Sequence, residues 1–190
     1  MGGQDTERTF EATLVEQCAP TLEGIKPASL FRWQGGCAQA LVSRWAGELA
    51  PFGIAVRILK VCPRTGACLI YLYRRTWLHR ILRQSANQAF LRRMGYTSQA
   101  DGEMLLEQLS DRLCLEQEFP HEIGVFLGYP LEDVVGFIRN GGRNYTCSGC
   151  WKAYSDPTAA QRRFEEYRQS TVRCKERFLR GVEIPELISA

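Results

Sequence analysis

Residues 54–73, IAVRILKVCPRTGACLIYLY, decide the fold class. Ile54, Val56 and Ile58 alternate with Ala55, Arg57 and Leu59, and Cys68, Ile70 and Leu72 alternate with Leu69, Tyr71 and Tyr73. A period of two sends successive side chains to opposite faces of a ribbon, which is the pattern of a strand. Pro63 and Gly66 turn the chain between the two runs, so the segment reads as an antiparallel β-hairpin.

On either side of this hairpin the period changes to that of helices. Upstream, Phe10, Leu14 and Cys18 predict a helix over 6–17 that Pro20 ends, followed by the loop CAPTLEGIKP at 18–27 and a short strand at 29–33. Gly35-Gly36 then opens a helix with Leu41, Val42, Trp45 and Leu49 on one face. Downstream the pattern is helical over 76–94 and again over 102–115, where Leu105, Leu109 and Leu113 form a stripe, with a break at Gly95 and 98–101. Two short helices start from Pro120 and Pro130, residues 145–154 suit a final strand, and a long helix begins at Asp156-Pro157 and stops at Gly181. The expected architecture is α+β: a single domain over 1–190 in which a small, mainly antiparallel sheet of about four strands packs against several helices. A helix-turn-helix-like helical pair is expected at 120–140.

At 190 residues the chain is long enough to bury roughly 70% of the surface of its unfolded form, so its eight cysteines are not needed as staples. The N-terminus MGGQDTERTF has acids and no apolar run where a secretory signal needs one, and no stretch approaches the roughly 20 apolar residues of a membrane span. These features read as a cytoplasmic chain with reduced thiols and no membrane span. Met1-Gly2 with Thr6 fits the acylation pattern M-G-x-x-x-[ST], but no basic cluster follows and one acyl chain anchors only weakly. A net charge of +3 is too mild to call for a nucleic-acid partner. Its distribution is uneven, with six arginines and no acid over 74–93 and seven acids against Arg112 alone over 101–122. Two such segments read as mutually paired or solvated helices and not as two ligand sites.

The phrases CAPTLEGIKPASLF near the N-terminus, FPHEIGVFLGYPLEDVVGFI, and CSGCWKAYSD near the C-terminus resemble an uncharacterised bacterial family, domain of unknown function 3793, over most of the chain. The family carries no established activity. The resemblance implies a stand-alone cytosolic protein of anaerobic Gram-positive bacteria, with a link to iron or flavodoxin physiology.

Several residues carry chemical potential. Cys147 and Cys150 form C-x-x-C, which suits two thiolates on a metal or a redox dithiol, and equally two packed cysteines, since no second C-x-x-C or C-x-x-H completes a metal set. His121, after Pro120 at a helix start and beside Glu122, suits a general base or ligand, or a capping histidine. Cys18 is the candidate nucleophile to join it, with Lys26 close by in the shaped loop, although the C-terminal end of a helix disfavours a thiolate. In the helix-turn-helix-like stretch, Glu132 and Asp133 would face phosphates with like charge, which argues for a packing unit over a DNA reader. Gly141-Gly142 reads as a helix stop. In a strand, Trp151 would point opposite to Lys152 and Tyr154, and an exposed Lys-Tyr pair beside a histidine would hold a carboxylate or phosphate.

The combined reading is a non-catalytic binding or accessory protein for a small anionic ligand or a redox partner protein, with Lys26, His121, Glu122, Trp151, Lys152 and Tyr154 around a groove. The alternatives are a thiol-dependent redox enzyme or metal-binding protein using the C-x-x-C and His121, and a helix-turn-helix regulator. The sequence names no cofactor.

Overall fold

In the computed structural model of the protein the described residues are 2–97, 101–115 and 118–189. Met1 of the acylation pattern and residues 98–100 of the expected inter-helix break lie outside them. The architecture is α+β, and the contacts within the chain divide it into two units, Met1–Arg75 with Tyr167–Ala190 and Thr76–Glu166.

The first unit is built on the hairpin. Strands β1 (Ala28–Trp33), β2 (Ile54–Val61) and β3 (Cys68–Arg74) form an antiparallel sheet in the order β1-β3-β2. The register sets Ala28 opposite Tyr73 and Ile54 opposite Arg74, and it shifts between Ile58 and Lys60, which leaves Leu59 as a bulge. Helices α1 (Gly2–Leu22) and α2 (Ala38–Leu49) contribute Phe10, Leu14, Cys18 and Leu22, and Leu41, Val42, Trp45 and Leu49, to one apolar core with Phe31, Ile54, Val56, Ile70 and Leu72 of the sheet.

Helix α1 passes through Pro20 and ends five residues later than its spacing predicts. Proline lacks the N–H that would reach back one turn, yet the buried stripe continues through Leu22, and that burial outweighs one missing bond. The stop comes at Gly24, whose φ of 76° admits the left-handed turn. There the Ile25 N–H donates to the Pro20 carbonyl at 2.9 Å and the Gly24 N–H to Thr21 at 3.3 Å. Arg74 at the end of β3 completes the cap, donating through Nε to the Thr21 carbonyl and through a terminal nitrogen to Leu22, both at 2.8 Å.

The second unit is mainly helical. The helix expected over 76–94 is two, α3 (Arg75–Leu82) and α4 (Ser85–Arg93). Asn87, buried in α4, explains the break: its amide donates at 2.9 Å to the Ile81 carbonyl, which also accepts the Gln84 N–H at 3.1 Å, and to Gln84 Oε1 at 3.0 Å, offering the backbone an alternative to continued helix. Helix α5 (Gly102–Leu115) buries Leu105, Leu106, Leu109 and Leu113. Then come a single turn, α6 (Ile123–Phe126), and α7 (Leu131–Asn140). In place of one final strand, 145–154 forms a minimal antiparallel ribbon, β4 (Cys147–Ser148) and β5 (Lys152–Ala153). Helix α8 (Pro157–Leu179), capped by the Asp156 carboxylate on Thr158 and Ala159 N–H, carries the chain back into the first unit. Among the described residues no helix is long and apolar enough to cross a membrane.

Candidate functional site

The densest chemistry lies in the second unit, where α7 and the β4–β5 ribbon meet. Two strand pairs cannot hold a ribbon in water by themselves. What holds this one is Asp133, which is 2% exposed in the first turn of α7. Its Oδ2 accepts the Trp151 indole N–H at 2.7 Å, while Oδ1 accepts the backbone N–H groups of Tyr154 and Ser155 and the Ser155 hydroxyl, each at 2.8 Å. Burial pushes this carboxyl up, but the hydrogen bonds from Tyr154, Trp151 and Ser155 outweigh it and hold the group below its ordinary 3.8.

Around that hub the aromatic side chains interlock. Trp151 is buried, stacked on Tyr129 with centroids 4.9 Å apart and edge-on to Phe164 at 4.5 Å. A Cβ on Gly149 would lie 2.3 Å from the Phe164 ring, so only glycine lets the ribbon turn seat there. Gly136 meets the Tyr154 ring in the same way, at 2.5 Å.

The opposite face of β5 presents Lys152. Its Nζ donates to the Gly142 carbonyl at 2.8 Å and lies 5.0 Å from the Tyr145 ring and 5.9 Å from Phe137. Gly141 and Gly142, with φ of 54° and 73°, stop α7 as expected and also fold that carbonyl back toward the ammonium. His121 is exposed, with its ring 4.7 Å from Phe137 and 6.1 Å from the half-exposed Phe119. Tyr154 shares the Lys152 side of the ribbon, and its hydroxyl is buried with no partner among the described residues.

His121 and Lys152 therefore both lie near Phe137, and Lys152 also lies near Tyr145, whereas Glu122, next to His121 in sequence, points elsewhere. It is buried, accepting from the Tyr96 hydroxyl at 3.2 Å and from Arg112 at 3.3 Å. Arg112 in turn lies over the Tyr96 ring at 4.6 Å and donates to the Met94 carbonyl. Trp151 is likewise committed to Asp133. Cys18 and Lys26 belong to the first unit. Cys18 is fully buried in α1, and burial pushes its thiol up to about 12 against the opposing pull of Lys26 and Ser29, so it stays protonated at neutral pH. Lys26 Nζ lies 5.7 Å from the Tyr167 ring.

The C-x-x-C sits on the ribbon. Cys147, half-buried, donates its thiol to the Pro157 carbonyl at 3.8 Å, and Cys150 is exposed at the turn. Neither is in a disulfide, and among the described residues no group of three His, Cys, Asp or Glu side chains is placed to share a metal ion.

Asp133 is the residue that sequence reasoning misread, by treating it with Glu132 as one acidic pair. The distinguishing signal was its position: it precedes Phe137 by one helical turn and Val134 by one residue, on the inward side of α7, while Glu132 is exposed. With Asp133 turned into the ribbon, the first turn of α7 packs on β5.

Fold and site together define a small α+β protein whose second unit carries a carboxylate-pinned ribbon with a lysine-aromatic face. The chain belongs to the family described as Protein of unknown function (DUF3793), whose model matches residues 14–188. No curated protein and no solved structure matches it.

Proposed function

We propose that this is a non-catalytic binding or accessory protein of the cytosol, and that the Lys152 face of the ribbon holds a small anionic ligand with a flat ring. The observation that carries this reading is Lys152: an ammonium held by one carbonyl, with protons left to donate, between the rings of Tyr145 and Phe137 and near exposed His121. A phosphate or carboxylate would take the ammonium and the imidazole, and Tyr145 offers a ring for stacking. The buried, unpartnered Tyr154 hydroxyl supports the same side of the ribbon as a place where a further acceptor is wanted.

Calorimetric titration with flavin mononucleotide, chosen as a flat ring bearing a phosphate, and with inorganic phosphate, tests it. Lys152→Met should weaken binding of the nucleotide about tenfold or more, in keeping with loss of a charge-assisted hydrogen bond. Absence of heat with both probes, together with unchanged Lys152 and His121 resonances, would reject the face as a binding site.

A second reading rests on the two cysteines of the ribbon, one exposed and one half-buried and neither in a disulfide. In it Cys147 and Cys150 act as a dithiol or supply half of a metal site. Elemental analysis of protein purified without oxygen decides it: stoichiometric zinc or iron that is lost in Cys147→Ser favours this reading over the first.

A further inference from the structure

The arginine-rich segment 74–93 and the acidic segment that follows it read as mutually paired or solvated helices. Four of its arginines are solvated in the structure. Arg80 on α3, Arg83 in the turn after it, and Arg92 and Arg93 on α4 are exposed, and none makes a side-chain ion pair or hydrogen bond with another described residue. The arginine of α5 that does pair, Arg112, does so with Glu122 and not with this segment. No acid stands between residues 74 and 93, and the other exposed polar groups there, Arg75, Thr76, Gln84, Ser85 and Gln88, can all donate hydrogen bonds. Ser85, Gln88 and Arg92 recur at steps of three and four, so they line one face of α4. All the cations are arginine, whose planar fork pairs with phosphate oxygens two at a time.

One of these cations, Arg83, lines a cavity of about 380 Å³ together with His79, Leu82, Gln88, Asp101, Gly102 and Leu105, within the size range of small-molecule sites, and Arg92 follows Gln88 by one helical turn on α4. Its walls are mixed. Leu82 and Leu105 are apolar, Arg83 and Gln88 donate, and Asp101 accepts. The imidazole of His79 rests directly over Gly102, where a Cβ would lie 2.8 Å from two of its ring atoms, so glycine keeps the ring in place. A carboxylate in the wall repels an acidic peptide but accepts hydrogen bonds from the amino groups of a nucleobase. A duplex keeps its bases stacked and has none to insert.

We infer that the α3–α4 face binds single-stranded nucleic acid, with phosphates on Arg80, Arg92 and Arg93 and one unstacked base in the cavity beside Gln88 and His79. The mild net charge of the whole chain and the acids at the start of α7, which spoke against a nucleic-acid partner, do not bear on this face: neither belongs to α3 or α4.

The test is fluorescence anisotropy on the full chain with a labelled short single-stranded RNA of mixed sequence, the same sequence as single-stranded DNA, and its duplex, between about 50 and 200 mM salt. Both single strands should bind more tightly than the duplex, and preference between them assigns RNA or DNA. The log–log salt slope for the preferred strand should be about −2 to −3, three or four phosphates at about 0.7 each. Arg92→Ala with Arg93→Ala should shrink that slope by about 1.4. Gln88→Ala should weaken binding about fivefold or more at an unchanged slope, since it touches the base and not a phosphate. Arg162→Ala with Arg163→Ala, which removes two exposed α8 charges, is the control. Four results would overturn the inference: no binding at the lowest salt; a duplex bound as tightly as the strands; equal weakening by the α8 control; or polyglutamate displacing the strand as well as unlabelled RNA does, which would make an acidic protein the occupant.

Discussion

The three-stranded sheet of the first unit and the two-stranded ribbon of the second are both antiparallel, yet opposite means hold them in place. The sheet is stabilised by area: Phe31, Ile54, Val56, Ile70 and Leu72 are nearly or wholly buried in a core supplied by α1 and α2, each such side chain contributing about 1.5–3 kcal/mol. The ribbon has two residue pairs and little area of its own, and it is held by one buried carboxylate with four donors converging on it. A short element that buries little must be specified by directed bonds, and directed bonds fail all at once when their common acceptor is removed.

The sharpest way to break this comparison is to remove that acceptor. Asp133→Ala strands the Trp151 indole and two backbone N–H groups in a buried site and should cost about 3–5 kcal/mol in denaturant unfolding, although it deletes no apolar area. A cost under about 1 kcal/mol would mean that the ribbon is held by ring packing, as the sheet is held by its core.

A smaller effect follows from protonating the same group. Because the folded carboxyl titrates below its unfolded value of about 3.9, its contribution is fully present above that pH and is lost as pH falls through the folded value. The Trp151 indole N–H resonance should therefore hold its position down to about pH 4 and shift only below it. A shift between pH 5 and 7 would place the titration on another group.

The mildest probe compares thiols within the first unit. Cys62, in the β2–β3 turn, has its thiol pulled down to about 7 by hydrogen bonds from the Thr65 hydroxyl and the Thr65 and Arg64 backbone. Burial pushes Cys18 and Cys174 up to about 12. Limiting iodoacetamide at neutral pH, read by peptide mass spectrometry, should label Cys62 first and leave Cys18 and Cys174 unmodified until the protein is denatured. Early labelling of Cys18 would contradict its burial and revive it as a nucleophile.

The elements that could be read in advance are those whose signal is local and repeated. The β2–β3 hairpin announced itself by alternation, α2 and α8 by their stripes, and the Asp156 cap by its place before Pro157. The errors fall where a tertiary contact overrules a local preference: Pro20 carried within α1 by the burial of Leu22, the helix over 76–94 divided where Asn87 takes the Ile81 carbonyl, and one strand replaced by a ribbon pinned to α7. At the candidate site, His121 and Lys152 were candidates by residue type and motif, and the structure sets both near the Phe137 ring. Glu122 and Trp151 were assigned to a ligand but are engaged by Arg112, Tyr96 and Asp133.

By itself, the sequence determined the α+β class, the central hairpin, the helical stripes and the family, because side-chain period and turn residues act over a few positions and need no partner to be legible. Folding alone settles which charges are spent internally and which stay exposed. Asp133 and Glu122 are hydrogen-bonded by groups 10 to 26 residues away in the chain, whereas Arg80, Arg83, Arg92 and Arg93 meet no such group among the described residues. A charge reads the same in a sequence whether it is buried and bonded or exposed and waiting, since what distinguishes the two is the position of donors and acceptors brought near by folding.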